Sequence, residues 1–143
     1  MMYHLKFRLQ VENTMDTDSA AELPEALRPI ASLISKSQKA QQKLAPGTWQ
    51  FVMLQENLEA LHLALALLQN DVKKLENVTK LDVQNALRAV GSMIEKTEKA
   101  QPKFAAGTSQ HTLLQNRLKA LQIAKRRLAA FQTQTAQPKN ETA

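Results

Sequence analysis

The sequence predicts an all-α fold: a four-helix up-down bundle made of two duplicated αα-hairpins, with an N-terminal strand-like arm. Three observations predict it. The chain repeats itself at an offset of 60 residues, apolar residues within each copy recur at helical spacing, and only three glycines and five prolines occur in 143 residues. A sheet-rich chain of this length would need more turn residues. An open pair of stacked hairpins is the alternative to a closed bundle.

The internal repeat is the strongest signal in the chain. Between residues 22–68 and residues 82–128, 21 of 47 aligned positions are identical. Self-similarity at a fixed period indicates a duplicated structural unit. We therefore expect one domain over residues 15–132, with the first repeat at 19–76 and the second at 79–132.

The first helix of each repeat is indicated by apolar residues at steps of three and four, which mark one face of an α-helix. These positions are Leu23, Leu27, Ile30, Ile34 and Leu44, matched by Val83, Leu87, Val90, Ile94 and Phe104. Helix starts are predicted by Ser19 with Glu22, and by Thr79 with Asp82, because each pair has capping-box spacing. Pro24 is an alternative first-turn residue in the first copy.

Each helical hairpin has a predicted corner in a stretch that occurs twice, KAQQKLAPGTWQ at 39–50 and KAQPKFAAGTSQ at 99–110. Gly47 and Gly107 can take the left-handed conformation that ends a helix. Thr48 and Thr108 follow at once and can cap the next helix. So short a connection makes the two helices antiparallel.

The second helix of each repeat carries a heptad-spaced apolar seam that is clear in the first copy and weaker in the second. The first seam is Phe51, Leu54, Leu58, Leu61, Leu65, Leu68, Val72 and Leu75; the second is His111, Leu114, Leu118, Leu121, Lys125 and Leu128. Only a short turn fits between the repeats. Both corners should therefore lie at one end of the bundle.

The predicted arm, residues 1–14, alternates polar and apolar residues with the period of a half-buried strand. Its apolar residues are Tyr3, Leu5, Phe7, Leu9 and Val11. A lone strand has unpaired backbone edges, so we expect it to pair with a second protomer or another protein. The alternatives are an arm packed on the bundle and a disordered segment. Residues 133–143 have no periodicity and are expected to be a disordered tail.

The stretch LALALL, residues 63–68, is apolar on almost every side of its helix. The arm or a second subunit should cover it, unless crowding by alanine alone explains the pattern. Together with the arm, Leu63 and Leu67 therefore predict a homodimer surface.

Composition limits the compartment and the partners. The chain has no cysteine, which excludes disulfides and thiolate metal sites and favours a reducing compartment. No signal peptide and no continuous apolar run of about 18 residues is present, so we expect a cytoplasmic protein without a membrane partner. A net charge of +6 and a pI near 9.7 permit nucleic acid or another anionic partner.

Two lysine clusters form the main candidate site, at the ends of the first helices. They are Lys36, Lys39 and Lys43 in the first repeat, and Lys96, Lys99 and Lys103 in the second. With the N-termini of the next helices nearby, they would make a site for an anion or a partner protein, with Trp49 beside it. The alternative is that these lysines only favour the helix dipole and keep the surface soluble.

Catalytic and metal motifs are incomplete. Glu59 and His62 have the Glu-x-x-His spacing of carboxylate bundles, but the second copy has Lys119 and Gln122 at these positions. No histidine lies near a serine and an acid in a triad-like arrangement, and no Gly-rich phosphate loop occurs. We expect no enzyme activity, no metal and no cofactor.

Two other polar sets have open interpretations. The cations of residues 125–127, with Arg117 and Lys119, would form a phosphate-contacting stripe or a water-facing helix surface. A polar layer near the corners would fix helix register, become wet where the bundle splays, or line a small pocket. That layer comprises Ser37, Gln41, Thr97, Gln101 and His111.

The sequence therefore predicts a non-enzymatic protein–protein interaction module, such as an adaptor, inhibitor or regulator, that forms a homodimer. Anion or non-specific nucleic-acid binding through the corner lysines is the alternative.

Overall fold

The chain is mostly helical in the computed structural model, which describes residues 22–141 and the side chains of residues 23–134. This part contains five α-helices, one 3₁₀ helix and no strand, so the all-α class is confirmed. The helices are α1 (Glu22–Gln42), α2 (Trp49–Leu68), α3 (Val72–Leu75), α4 (Lys80–Ala100) and α5 (Ser109–Glu141), with the 3₁₀ helix Gln101–Lys103 after α4. The predicted arm with Tyr3, Leu5, Phe7, Leu9 and Val11, and the predicted cap Ser19, lie outside the described residues.

The start of α4 confirms the predicted capping box. The Asp82 backbone N–H donates to Thr79 Oγ1 at 3.1 Å, and the Thr79 N–H donates to Asp82 Oδ2 at 2.9 Å. Two amide groups that a helix start would leave without partners are thus satisfied reciprocally.

The two corner turns, residues 43–48 and residues 101–108, contain the same β-turn. Thr48 N–H donates to the Ala45 carbonyl at 3.3 Å, and Thr108 N–H donates to the Ala105 carbonyl at 3.2 Å. Gly47 and Gly107 have φ angles of 88° and 89°, as the third position of a type II turn requires. The left-handed glycines are confirmed, but they lie in these turns, because α1 and α4 end several residues earlier.

Helix α2 ends sooner than its heptad pattern predicts. Asn70 has a φ of 55°, its N–H donates to the Leu67 carbonyl, and the Asp71 N–H donates to the Ala66 carbonyl at 2.9 Å. These two bonds form a Schellman motif, which stops a helix. The predicted continuous helix is therefore wrong beyond Leu68, and α3 is a separate one-turn helix, although Leu75 is buried in the core as the seam predicted.

The four long helices surround one apolar core. Helix α1 packs against α2 and α5, helix α4 packs against the same two helices, and α2 also contacts α5. Apolar residues from all four contribute to a single buried cluster. Some residues at equivalent positions of the two repeats are buried in both, as with Ile30 and Val90.

Helix α2 supplies much of this core. By length and composition alone it is the one helix in the described part of the chain that could cross a membrane, a test that core helices of soluble proteins also pass. Leu67 is only 1% exposed, and the half-buried Leu63 packs against the same core. The chain's own helices therefore cover Leu67, which corrects its assignment to a dimer surface.

Helix α5 is longer than predicted, and it buries a different face from the predicted one. It is helical through Glu141, across residues 133–141 that the sequence analysis assigned to a disordered tail. Loss of apolar periodicity removes a packing face, but glutamine, alanine and lysine remain good helix formers. Arg127 is buried at 2% exposure whereas Lys125, placed on the predicted seam, is exposed.

Candidate partner-binding surface

Both corner turns lie at the same end of the molecule. Lys96, near the C-terminal end of α4, has its Nζ atom 3.5 Å from the Sδ atom of Met53, in the second turn of α2. The end of α4 is therefore beside the beginning of α2. We call this region, residues 36–56 and residues 95–113, the corner end.

The six lysines predicted as a binding site are all at the corner end and all exposed. They are Lys36, Lys39, Lys43, Lys96, Lys99 and Lys103. Within the described residues, none of them lies within ion-pair distance of a carboxylate. Three glutamates share the corner end, which leaves it a net charge of +3. The structure thus brings the two lysine clusters to one end without neutralising them.

Large apolar side chains are exposed among these lysines. Trp49 is 70% exposed, and Val52, Phe104 and Leu113 are also exposed. Sequence analysis identified Trp49 alone. It placed Phe104 on the apolar face of the first helix, but the helix has ended before Phe104, so helical period no longer applies there. Trp49 and Val52 correspond to Ser109 and Thr112 in the second repeat, so the apolar character differs between the corners.

Matching hydrogen bonds hold each corner in place. Thr48 Oγ1 donates to the Ala45 carbonyl at 2.9 Å and accepts from the Phe51 N–H at 3.3 Å. Thr108 Oγ1 makes the corresponding bonds to the Ala105 carbonyl and from the His111 N–H, at 2.7 and 3.2 Å. The predicted threonine caps are confirmed. The positive ends of two helix dipoles consequently point to the corner end.

Hydrogen bonds also involve two residues of the predicted polar layer, Gln41 and Thr97. Gln41 Nε2 donates to Gln55 Oε1 at 2.8 Å and to the Phe51 carbonyl at 3.3 Å, which ties α1 to α2. Thr97, although buried, donates to the Met93 carbonyl of its own helix at 2.7 Å. The Gln41 bonds favour the interpretation that the layer fixes helix register, because they join two helices, whereas the Thr97 bond lies within one helix.

The predicted basic stripe on α5 is not a continuous surface. Arg127 is buried, and the half-buried position of Arg117 lowers the pKa of its guanidinium through desolvation. Lys119 Nζ is 3.3 Å from Glu25 Oε2 of α1 and is therefore already paired. Lys125 and Arg126 are the exposed cations of this set.

Glu59 and His62 lie away from the corner turns. Both are exposed and line an open groove of about 640 Å³ between α2 and α4, with Glu56, Asp82 and Arg88 on its walls. In the part of the chain that the structure describes, no three histidine, cysteine or acidic residues form a group able to hold a metal ion. The groove is lined by acidic, basic and apolar side chains.

No protein-family model, curated protein or solved structure matches the chain.

Proposed function

We propose that the chain is a non-enzymatic protein–protein interaction module, acting as an adaptor, inhibitor or regulator in the cytoplasm. The corner end is its binding surface. The observation that supports this proposal is the presence of Trp49 and three other exposed large apolar side chains at the same end as six lysines, which have no ion pair with any described residue.

The chemistry of the corner end favours an acidic amphipathic segment as its partner. Exposed aromatic and aliphatic anchors that become buried on binding supply most of the energy in protein interfaces. Unpaired lysines around them speed association with an acidic partner and orient it. Trp49 is the best single anchor, because tryptophan is enriched among residues that dominate interface energy.

The proposal includes an architecture. The four long helices form an up-down bundle of two duplicated hairpins, and the bundle forms a homodimer. The matching turns at Gly47 and Gly107 and the packing of each long helix against two others support the bundle. A hairpin corner at the same place in each repeat is what duplication of one unit would produce.

The test uses a labelled synthetic peptide helix with leucines on one face and glutamates on the other, and a scrambled peptide of the same composition. Fluorescence anisotropy measures binding to the full chain. We expect binding of the amphipathic peptide that weakens with salt and a blue shift of Trp49, the only tryptophan.

Matched variants identify the surface. The double variant Trp49→Ser and Val52→Thr gives the first corner the residues of the second, and it should weaken binding by roughly tenfold or more. Leu81→Ala removes another exposed leucine, 61% exposed at the opposite end of α4, and should change nothing. Equal binding of the amphipathic and scrambled peptides, or equal loss in both variants, would contradict the proposal.

Anion or non-specific nucleic-acid binding is the second candidate, favoured by the absence of ion pairs at the six lysines among the residues that the structure describes. Its probe is a single-stranded DNA oligonucleotide. Changing Lys39, Lys43, Lys99 and Lys103 to Gln should abolish DNA binding and its steep salt dependence. The corner variant of Trp49 and Val52 keeps all six lysines, so its DNA binding should retain the steep salt dependence. DNA binding with this pattern, without peptide binding, would replace the first proposal by the second.

A further inference from the structure

A second groove lies between α4 and α5. It is open, has a volume of about 800 Å³, and is lined by residues of both helices. Gly91 lines it, together with five charged side chains: Arg88, Glu95, Glu98, Lys125 and Arg126. Within the described residues, Arg88, Glu95, Glu98 and Lys125 form no ion pair.

The charges of this groove are separated along its length. Glu95 and Glu98 lie on the half of α4 nearer the corner end, and Arg88 lies on the other half. Helix α5 runs away from the corner end, so Lys125 lies on the same side as Arg88. One end of the groove is therefore acidic, and the other end is basic.

Gly91 lies at the boundary between the acidic and basic ends. A Cβ atom built there would meet no other atom within 4 Å, so packing within the chain does not explain a glycine. Glycine is unfavourable inside a helix, and the equivalent residue of the first repeat is Ala31. A glycine facing open space permits the close approach of another backbone.

We propose that a second copy of the chain docks on this groove, with the two α4 helices antiparallel and the two-fold axis between Gly91 and Ser92. Glu95 and Arg88 are equally distant from that axis along the helix, about 5 Å at a rise of 1.5 Å per residue. Glu95 of each copy therefore faces Arg88 of the other. Glu98 faces the basic end that contains Lys125.

This arrangement explains why Arg88, Glu95, Glu98 and Lys125 have no ion pair within the described residues of one chain. A two-fold interface brings the same patch of each subunit together, so the patch must complement itself. A groove with one acidic and one basic end does so in the antiparallel orientation, and like charges would meet in the parallel one. The inference rests on the homodimer of the proposed function and identifies its surface.

The test is sedimentation equilibrium of the full-length chain at low salt, with charge-swap variants. The wild type should be a dimer, and Glu95→Arg and Arg88→Glu should each raise its dissociation constant at least tenfold. The double variant with both substitutions should restore the dimer, because the opposite charges face each other again. Gly91→Trp should also give a monomer, whereas Ala31→Trp, the same change at the equivalent position, should not.

The outcomes separate this inference from the homodimer itself. A wild-type chain that is monomeric throughout would overturn both. A dimer that tolerates both single charge reversals, or one that the double variant does not restore, would overturn the groove as its surface and leave the homodimer standing. Circular dichroism verifies that each variant is folded, and the charge swap decides if Gly91→Trp does not fold.

Discussion

Leu61 and Leu121 occupy equivalent positions of the two repeats, on α2 and α5. Both have 0% of their surface exposed, and both belong to the single apolar cluster. Replacing either residue by alanine therefore tests whether the two halves of the chain contribute alike to one core. Their shared position predicts similar losses of stability in the two variants.

The expected loss follows from the burial of the two leucines. Each Leu→Ala substitution removes two buried methyl groups and one further carbon from the core, worth about 2.4 kcal/mol at ~0.8 kcal/mol per carbon. The cavity left behind raises the loss to about 3–4 kcal/mol. Because domains of this size unfold with a free energy of only about 5–15 kcal/mol, each variant should lose a substantial fraction of its stability.

Urea unfolding followed by circular dichroism measures these losses. Leu61→Ala and Leu121→Ala should lower the urea midpoint by similar amounts with little change in the m-value. The control is Leu81→Ala, at 61% exposure, which should stay within about 0.5 kcal/mol of the wild type. An unfolding free energy equal to that of Leu81→Ala for either core variant would contradict an equal contribution of the two leucines to one core. Losses that differ by more than about 2 kcal/mol would also contradict it.

Three further predictions concern stability and are measured by the same unfolding experiment. Thr79→Ala breaks the capping box of α4 and should cost about 1 kcal/mol; no loss would mean that this cap is unimportant. Pro29→Ala removes a proline from inside α1 and restores a helix hydrogen bond, so it should add about 1–3 kcal/mol; a loss would contradict this. Arg127→Ala should cost about 2–4 kcal/mol, because the side chain is buried, whereas Lys125→Ala should stay within about 0.5 kcal/mol. Equal effects at positions 127 and 125 would contradict their different burial.

The corner turns could be predicted because their chemistry is local. Gly47 and Gly107 are each followed by a threonine that caps the next helix, and the structure has left-handed glycines and threonine caps at those positions. Few other residue types fit a positive φ. Neither feature depends on distant parts of the chain, so one sequence was enough.

The end of α2 and the buried face of α5 were predicted wrongly. The first depends on a local stop signal that competes with the apolar periodicity, and the second depends on contacts with distant parts of the chain. The heptad spacing continues through Val72 and Leu75, so periodicity predicted a longer helix than the one that Asn70 ends in a left-handed conformation. The neighbouring Asn70 and Asp71 were the available signal, since both residue types favour turns and caps. Periodicity also placed Lys125 rather than Arg127 on the buried seam. That prediction was wrong because α5 packs against α1, α2 and α4 together, and these contacts decide which of its residues are buried.

The charged part of the candidate site could be predicted from the sequence, and most of its apolar part could not. The six lysines were found by their repeated spacing, and the shared end followed from two hairpins with a short connection. The exposed apolar residues were not found, except Trp49, because a sequence pattern marks apolar residues as buried and does not report where a helix stops. Phe104 is the example, since it matches Leu44 in the repeat but lies in a turn beyond the helix.

The packing of the two halves has a consequence for synthesis on the ribosome. The apolar faces of α1 and α2 are covered by α5 and α4, which are made later. Leu128, the counterpart of Leu68, is added 60 residues after it, a delay of about 3–12 s at 5–20 residues per second. During that interval the nascent first half exposes a surface that the second half of a neighbouring chain would also fit. The connector of residues 69–79 opposes such exchange, because a tethered second half has a high effective concentration near its own first half.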